Sequence, residues 1–266
     1  MKKLLLGLVL LILLTSCEQG NHDNVESSPT HEIKTYKEVI KDGKVEIDGI
    51  SYDIQSVTKI TNTYDDNENI IEKITANDNS ETRIELLYEN NKVIEDRGYS
   101  NRKLRFTTYY YYEDNLLIKK KTVHESGLET SIEYSYEDKT EMQTHYNSDS
   151  SISFISTAYL DDDGNILKNS IANVDGEVTG TTTFYYENEL LIKGIREKEG
   201  KKIASFNYEY NKFGDKILEY NILSGIKDNV LIAMLYDIEY DENLLPKTVT
   251  IYRVQSLIAE EDIRDY

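Results

Sequence analysis

Four histidines, two clusters of acids and a wealth of tyrosine are where chemistry could begin in this 266-residue chain. His22, His31, His124 and His145 are scattered. None makes a His-x-x-x-His pair or neighbours the single cysteine, so no zinc-ligand spacing forms. DDNEN at 65–69 and DDDGN at 161–165 gather oxygen ligands of the kind calcium takes. Read from Tyr159, the second loop fails the EF-hand pattern at its first position and has Ser170 where the closing Glu belongs. Asp, Asn and Gly are equally what tight turns require, and turns are the favoured reading. No Gly-x-Ser-x-Gly elbow, phosphate-binding loop or dinucleotide fingerprint occurs. Among 49 acids, carboxylate pairs carry no information about glycoside hydrolysis. Catalytic residues, metal ligands and cofactors are therefore expected to be absent. What remains is aromatic: 22 Tyr against 5 Phe and no Trp make phenol rings the main recognition chemistry available. Such rings can stack on sugars or grip a peptide while their hydroxyls meet water.

The tyrosines recur in register. Tyr64, Tyr88, Tyr112, Tyr136, Leu160, Tyr186, Tyr210 and Tyr240 each end an alternating segment and are followed by acidic, Asn or Gly residues. A segment led by Leu, Ile or Val comes next, and then a second polar turn such as ESG at 125–127, VDG at 174–176 or KEG at 198–200. The first five anchors lie 24 residues apart, as do Tyr186 and Tyr210, and the remaining steps are 26 and 30. Alternation bounded by turn residues predicts β-hairpins, two strands to each unit. All steps are even, so the face carrying the anchors never flips. Tyr110 and Tyr112 share that face, whereas Tyr109 and Tyr111 sit on the opposite one. The expectation is an all-β antiparallel meander of about eight hairpin repeats forming a wide, twisted, curved sheet. An open sheet is favoured over a barrel or a sandwich. Pro246, unable to donate to a ladder, is expected at or near the last edge. KVEIDGISYDI at 44–54 reads as a capping hairpin, and LIAEEDIRDY at the end as a strand or a short helix.

Two resemblances add to this. MKK, the apolar run Leu4 to Leu14 and LTSC ending at Cys17 resemble the signal and lipobox of bacterial lipoproteins. The resemblance implies a diacylglycerol on Cys17 and an acyl group on its freed amine, enough chains for stable anchoring. Residues 1–16 are then a signal peptide, 17–40 the lipidated Cys and a polar tether, 41–252 the repeat domain and 253–266 a tail or cap. A lone cysteine leaves no internal disulfide. The formal net charge of −19, which loss of Lys2 and Lys3 would deepen, repels nucleic acid. YEYNKFGDKILEYN at 208–221, IEYSYEDKTEM at 132–142 and AYLDDDGNILK at 158–168 resemble the YD repeat of Rhs-type proteins. The likeness spans roughly residues 58–252, with Asn or Asp replacing the turn Gly in several units. Tyrosine-rich MORN-type repeats are a close competitor, although their Gly-x-Trp element is absent.

The resulting expectation is a membrane-anchored protein of the bacterial cell envelope, periplasmic or surface-exposed. It is read as a non-enzymatic binding or scaffold module with an envelope protein or glycan as partner. Tyr110, Tyr112, Tyr134, Tyr136, Phe184, Tyr186, Tyr208 and Tyr210 are the candidate binding residues, and Cys17 is the lipid attachment point. A carboxylate-dependent hydrolase of surface polymers and a toxin-associated accessory or immunity protein are the alternatives.

Overall fold

The computed structural model describes residues 42–47, 50–224 and 229–258. Cys17, the tether and the final residues 259–266 lie outside the described residues. The rest is strand and turn. In chain order the strands are β1 (Lys44–Ile47), β2 (Ile50–Tyr64), β3 (Ile70–Asn77), β4 (Ser80–Glu89), β5 (Lys92–Ser100) and β6 (Lys103–Glu113). There follow β7 (Leu116–His124), β8 (Glu129–Glu137), β9 (Thr140–Tyr146), β10 (Ile152–Leu160), β11 (Ile166–Ala172) and β12 (Val178–Glu187). The last are β13 (Leu190–Lys198), β14 (Lys201–Tyr210), β15 (Lys216–Ser224), β16 (Asn229–Tyr240) and β17 (Pro246–Ile258).

From β2 onward every strand pairs antiparallel with its chain neighbours, as the alternation predicts. The favoured open sheet is overturned, because β17 also pairs with β2: Thr248 lies opposite Thr61 and Tyr252 opposite Val57. Sixteen strands thus close into a barrel. Closure removes the exposed edges that an open sheet would have to protect. Pro246 is accordingly not at an edge. It is the first residue of β17, where a missing N–H costs no ladder bond, and its carbonyl accepts from Tyr64 Oη at 2.9 Å and Asn62 Nδ2 at 2.8 Å.

Curvature comes from a device repeated at the anchors. Register slips by one residue just before Tyr64, Tyr88, Tyr112, Leu160, Tyr186, Tyr210 and Tyr240. In each case the extra residue sits near the start of the returning strand, as Ile71, Ile94 or Ile118. Such bulges bend a strand and sharpen its twist. The turns are of two kinds. Asn90–Asn91, Asp114–Asn115 and Asn188–Glu189 hold consecutive positive φ angles, the geometry of two-residue hairpins. At 65–69 and 161–165 a leading Asp folds the loop over its own carboxylate. Asp161 Oδ1 accepts the amides of Asp163 at 3.0 Å and Asn165 at 2.8 Å, and Oδ2 accepts Asn165 Nδ2 at 2.9 Å. Asp65 does the same with Asn67 and Asn69. These oxygens are committed to turns.

The two faces of the wall differ. On the anchor face, burial is the leading influence on Tyr110, Tyr134, Tyr208, Tyr236, Lys73, Lys120 and Asp96, as expected for groups surrounded by a closed wall. On the other face Glu125, Glu133 and Lys121 answer first to hydrogen-bonded ion partners, and Tyr109 and Tyr111 are 38% and 45% exposed. The anchor face therefore lines the barrel interior. Ile60, Ile84, Phe106, Ile132 and Phe154 point inward yet stay only half-buried, so the interior is a hollow rather than a packed core.

The one dry cluster among the described residues lies outside the wall. There β1, paired with β2 through Val45↔Tyr52 and Ile47↔Ile50, lays Val45 and Ile47 over Leu218, Ala233, Leu235 and Val254 of β15 to β17. Val45 and Leu235 are 0% and 1% exposed. This strap covers the strands next to the closing seam. Elsewhere the outer face carries ion pairs: Arg83 with Glu72 and Glu85, Arg97 with Glu95, Lys119 with Glu133, and Lys121 with Glu129. Placing an Arg or Lys against lipid at mid-membrane costs about 2–4 kcal/mol, so this surface is built for water.

Candidate binding lumen

The anchors act first as fasteners. Tyr88 Oη donates to the Ile70 carbonyl at 3.0 Å, Tyr112 to Val93 at 3.0 Å and Tyr136 to Leu117 at 3.0 Å. Tyr186 donates to Ile166 at 3.0 Å and Tyr210 to Leu191 at 2.8 Å. Each hydroxyl reaches the beginning of the returning strand in the preceding unit. Tyr64 completes the series by reaching Pro246, the same place in the last unit. Where Leu160 stands there is no hydroxyl, and Tyr240 turns instead to Asp215 Oδ2 at 2.6 Å. Burial pushes the Tyr136, Tyr210 and Tyr240 phenols up to about 12.

Two residues before each anchor lies a second inward row that includes Asn62, Leu86, Tyr110, Tyr134, Ala158, Phe184, Tyr208 and Ile238. Here the candidates diverge. Tyr110 Oη donates to Asp96 Oδ2 at 2.6 Å. Burial raises the Asp96 carboxyl, opposed by its bonds from Tyr110 and Thr108. Phe184 and Phe206 lie over Gly194, where a Cβ would stand 3.2 Å from Phe206. Tyr134 and Tyr208 have hydroxyls with no hydrogen-bond partner among the described residues, and burial raises both phenols.

Each of these free tyrosines stands beside a lysine. Lys120 Nζ lies 5.2 Å from the Tyr110 ring centroid and 5.5 Å from that of Tyr134, within cation–π range of both. Burial lowers its pKa, opposed by the Asp96 and Glu141 carboxylates nearby, although among the described residues neither comes within ion-pair contact of it. Lys216 Nζ lies 4.7 Å from the Tyr236 centroid and 5.5 Å from that of Tyr208, but it is paired with Glu219 at 2.5 Å. Tyr236 Oη also donates to Glu219, at 3.2 Å. The first lysine thus feels two carboxylates without an ion-pair contact, and the second is directly paired.

Beyond Tyr134, His145 stacks on Phe154 with centroids 3.9 Å apart and planes at 19°. Its Nε2 is buried without a partner. Burial and then the nearby Lys120 charge lower its pKa to about 4, so the imidazole is neutral near pH 7. In register Lys120 faces Ile132, and Ile132 faces His145. The lumen places Tyr110 and Tyr134 around one lysine and Tyr208 beside another, while Tyr112, Tyr136, Tyr186 and Tyr210 hold strands together. Asp96, Lys120, Lys216, Glu219 and Tyr236 were not among the sequence candidates, and His145, read from the sequence only as a scattered histidine outside any zinc spacing, is instead buried by the wall. Charged residues at inward positions of an otherwise apolar and aromatic face were the available signal for Asp96, Lys120 and Lys216.

Neither a protein-family model nor a curated protein matches the chain. Among solved structures it is similar to a porin-like protein from Bacteroides uniformis, at 11% identity and a TM-score of 0.34, over 77% of this chain and 96% of that one. It is also similar to TcdB2-TccC3, at 11% identity and a TM-score of 0.34, over 83% of this chain. The chain spans 15% of the length of TcdB2-TccC3.

Proposed function

We propose that this chain is a non-enzymatic binding module of the bacterial cell envelope, held to a membrane by lipid on Cys17, that receives a glycan in its aromatic lumen. One observation carries the reading: the tyrosine face closes around a hollow in which Tyr134 and Tyr208 keep hydroxyls that the fold does not use. The inward lining mixes ring faces with Thr108, Thr122, Thr130, Gln143, Ser156 and Asn169, the pairing of stacking surface and hydroxyl or amide groups that sugars require. A ring of strands offers no free edge for strand addition, which disfavours an extended peptide. The test is the double variant Tyr134→Ser with Tyr208→Ser. It is expected to keep its β circular-dichroism spectrum and lose retention on envelope glycans. Full retention by the folded variant would contradict the reading. Separately, Cys17→Ser is expected to release the protein from the membrane fraction.

A further inference from the structure

Half of the run Tyr109 to Tyr112 faces away from the lumen. Tyr109 and Tyr111 stand on the outside of β6 and are 38% and 45% exposed. In register Tyr109 faces Lys121, Lys121 faces Ser131 and Ser131 faces Tyr146, a row that crosses β6 to β9. One step along, Tyr111 faces Lys119 and Lys119 faces Glu133. Of the barrel ladders without a register slip, only β7–β8 and β8–β9 are neighbours. Bulges sharpen the bend of a wall, so the outer face bends least across these three strands. Ser131 leaves a notch between larger side chains. A groove of about 360 Å³ opens over it, walled by Lys119, Lys121, Glu133, Tyr146 and the turn that follows β9.

The charges of this groove are balanced in place. Lys119 Nζ pairs with Glu133 at 3.0 Å, Lys121 Nζ pairs with Glu129 at 2.8 Å, and Tyr146 Oη donates to Glu133 Oε2 at 3.2 Å. Paired charges draw no particular ion, and the formal net charge of −19 turns acidic polymers away. Hydrogen-bonding capacity is left over, since an ammonium has three donors and a carboxylate about four acceptor positions. Ring faces flank the notch on both sides, with the Tyr109 and Tyr146 backbones three strand spacings, about 14 Å, apart. The Lys121 ammonium lies near the Tyr109 and Tyr111 phenols, which joins that ring pair to the groove.

We infer that this outer groove is a second carbohydrate site, one that takes a neutral oligosaccharide laid across β6 to β9. Hydroxyls of the sugar accept from the lysines and donate to the glutamates, while Tyr109, Tyr111 and Tyr146 cover its apolar faces. The site is separate from the lumen and does not rest on it. A groove open to water buries less of its ligand than an enclosing lumen, so binding here is weak and does not alone retain the protein on a glycan. An outer site also admits the middle of a long chain, which a closed ring of strands admits only by its end.

Fluorine NMR of the full-length protein carrying 3-fluorotyrosine, in a detergent without sugar headgroups, reads the site directly. The Tyr134→Ser/Tyr208→Ser background removes the lumen contribution, and single Tyr→Phe changes assign the Tyr109, Tyr111 and Tyr146 signals. Laminarihexaose is expected to shift these three signals saturably and to leave those of Tyr112 and Tyr210 in place. An oligogalacturonate and a Ser-Gly hexapeptide are expected to need at least about tenfold more ligand for the same response. Tyr109→Ala with Tyr111→Ala, read at Tyr146, is expected to weaken laminarihexaose about tenfold, the scale of two lost ring contacts, with the melting temperature unchanged. Ser131→Met, which fills the notch, is expected to abolish the response. No saturable shift at the three outer signals would overturn the inference and leave the lumen reading untouched. An equal response to oligogalacturonate would overturn the neutral-ligand assignment, and an equal response to the peptide would overturn the sugar assignment. Binding that survives both the tyrosine pair and the Ser131 change would overturn the site itself. Shifts confined to the outer signals in the wild type, with Tyr134 and Tyr208 unmoved by any glycan, would uphold this site and count against the lumen.

Discussion

Tyrosine does two jobs here, and the hydroxyl tells them apart. Tyr112 spends its hydroxyl on the Val93 carbonyl, whereas Tyr134, on the neighbouring row, spends its own on nothing in the wall. Removing an anchor hydroxyl should therefore cost stability and removing a free one should not. Tyr112→Phe is expected to lower unfolding free energy by about 1 kcal/mol, the usual net worth of such a bond, and Tyr134→Phe by much less. Urea denaturation of the two variants measures the difference. His145 gives a second residue-level test. Its folded pKa of about 4 lies below the roughly 6.5 of a free imidazole, so between those values the unfolded chain takes up a proton that the folded chain refuses. That contribution to stability is present above the unfolded pKa and is lost as pH falls through the window. Wild type should have a lower urea midpoint at pH 5 than at pH 7, and His145→Phe should shrink the gap. An unchanged gap would show that His145 titrates normally.

At the scale of the element, hairpins and facing were legible, because strands ending in an anchor obey the even-number rule. Tyr110, Tyr134 and Tyr208 all point inward as that rule requires. The returning strands were harder to read. β7 keeps the parity of β6, so Lys120 faces Tyr110. β9 and β15 reverse the parity of β8 and β14, so Glu141, His145 and Glu219 point inward from odd positions. That reversal depends on how each turn and bulge divides its residues, which composition does not reveal. The packing of β1 was equally hidden: KVEI reads as one half of a hairpin, not as a cover for strands some 170 residues further on. Its apolar contacts should matter more than its length suggests. Val45→Ala removes side-chain volume from a site 0% exposed and is expected to cost about 2 kcal/mol. Faster limited proteolysis near residue 44, with the melting temperature lowered, would accompany it. A melting temperature equal to wild type would mean that the strap does not clamp β15 to β17.

Considered as a whole, the barrel reads as a repeat whose last unit meets its first through the same anchor contact that joins five other pairs of units. Tyr64 reaching Pro246 reproduces the bond that Tyr88 makes to Ile70. Closure was not legible because it depends on the sum of the bulges, at the anchors and at the opposite turns, and on the length of β17, which pairs along both sides. An outer surface of ion pairs around an aromatic hollow is the reverse of a lipid-embedded wall, and it leaves the aromatic groups of the anchor face pointing inward. The seam between β2 and β17 is what closes the barrel, and a cross-link across it is the most direct measurement. In a Cys17→Ser background, Thr61→Cys with Thr248→Cys places two thiols at Cα partners of β2 and β17. Mild oxidation of the folded protein is predicted to form an intramolecular disulfide quickly and almost completely, and to do so poorly in urea. Thiols that stay free and fully reactive in the native protein would show that β17 and β2 do not meet, and the lumen would be lost with the seam.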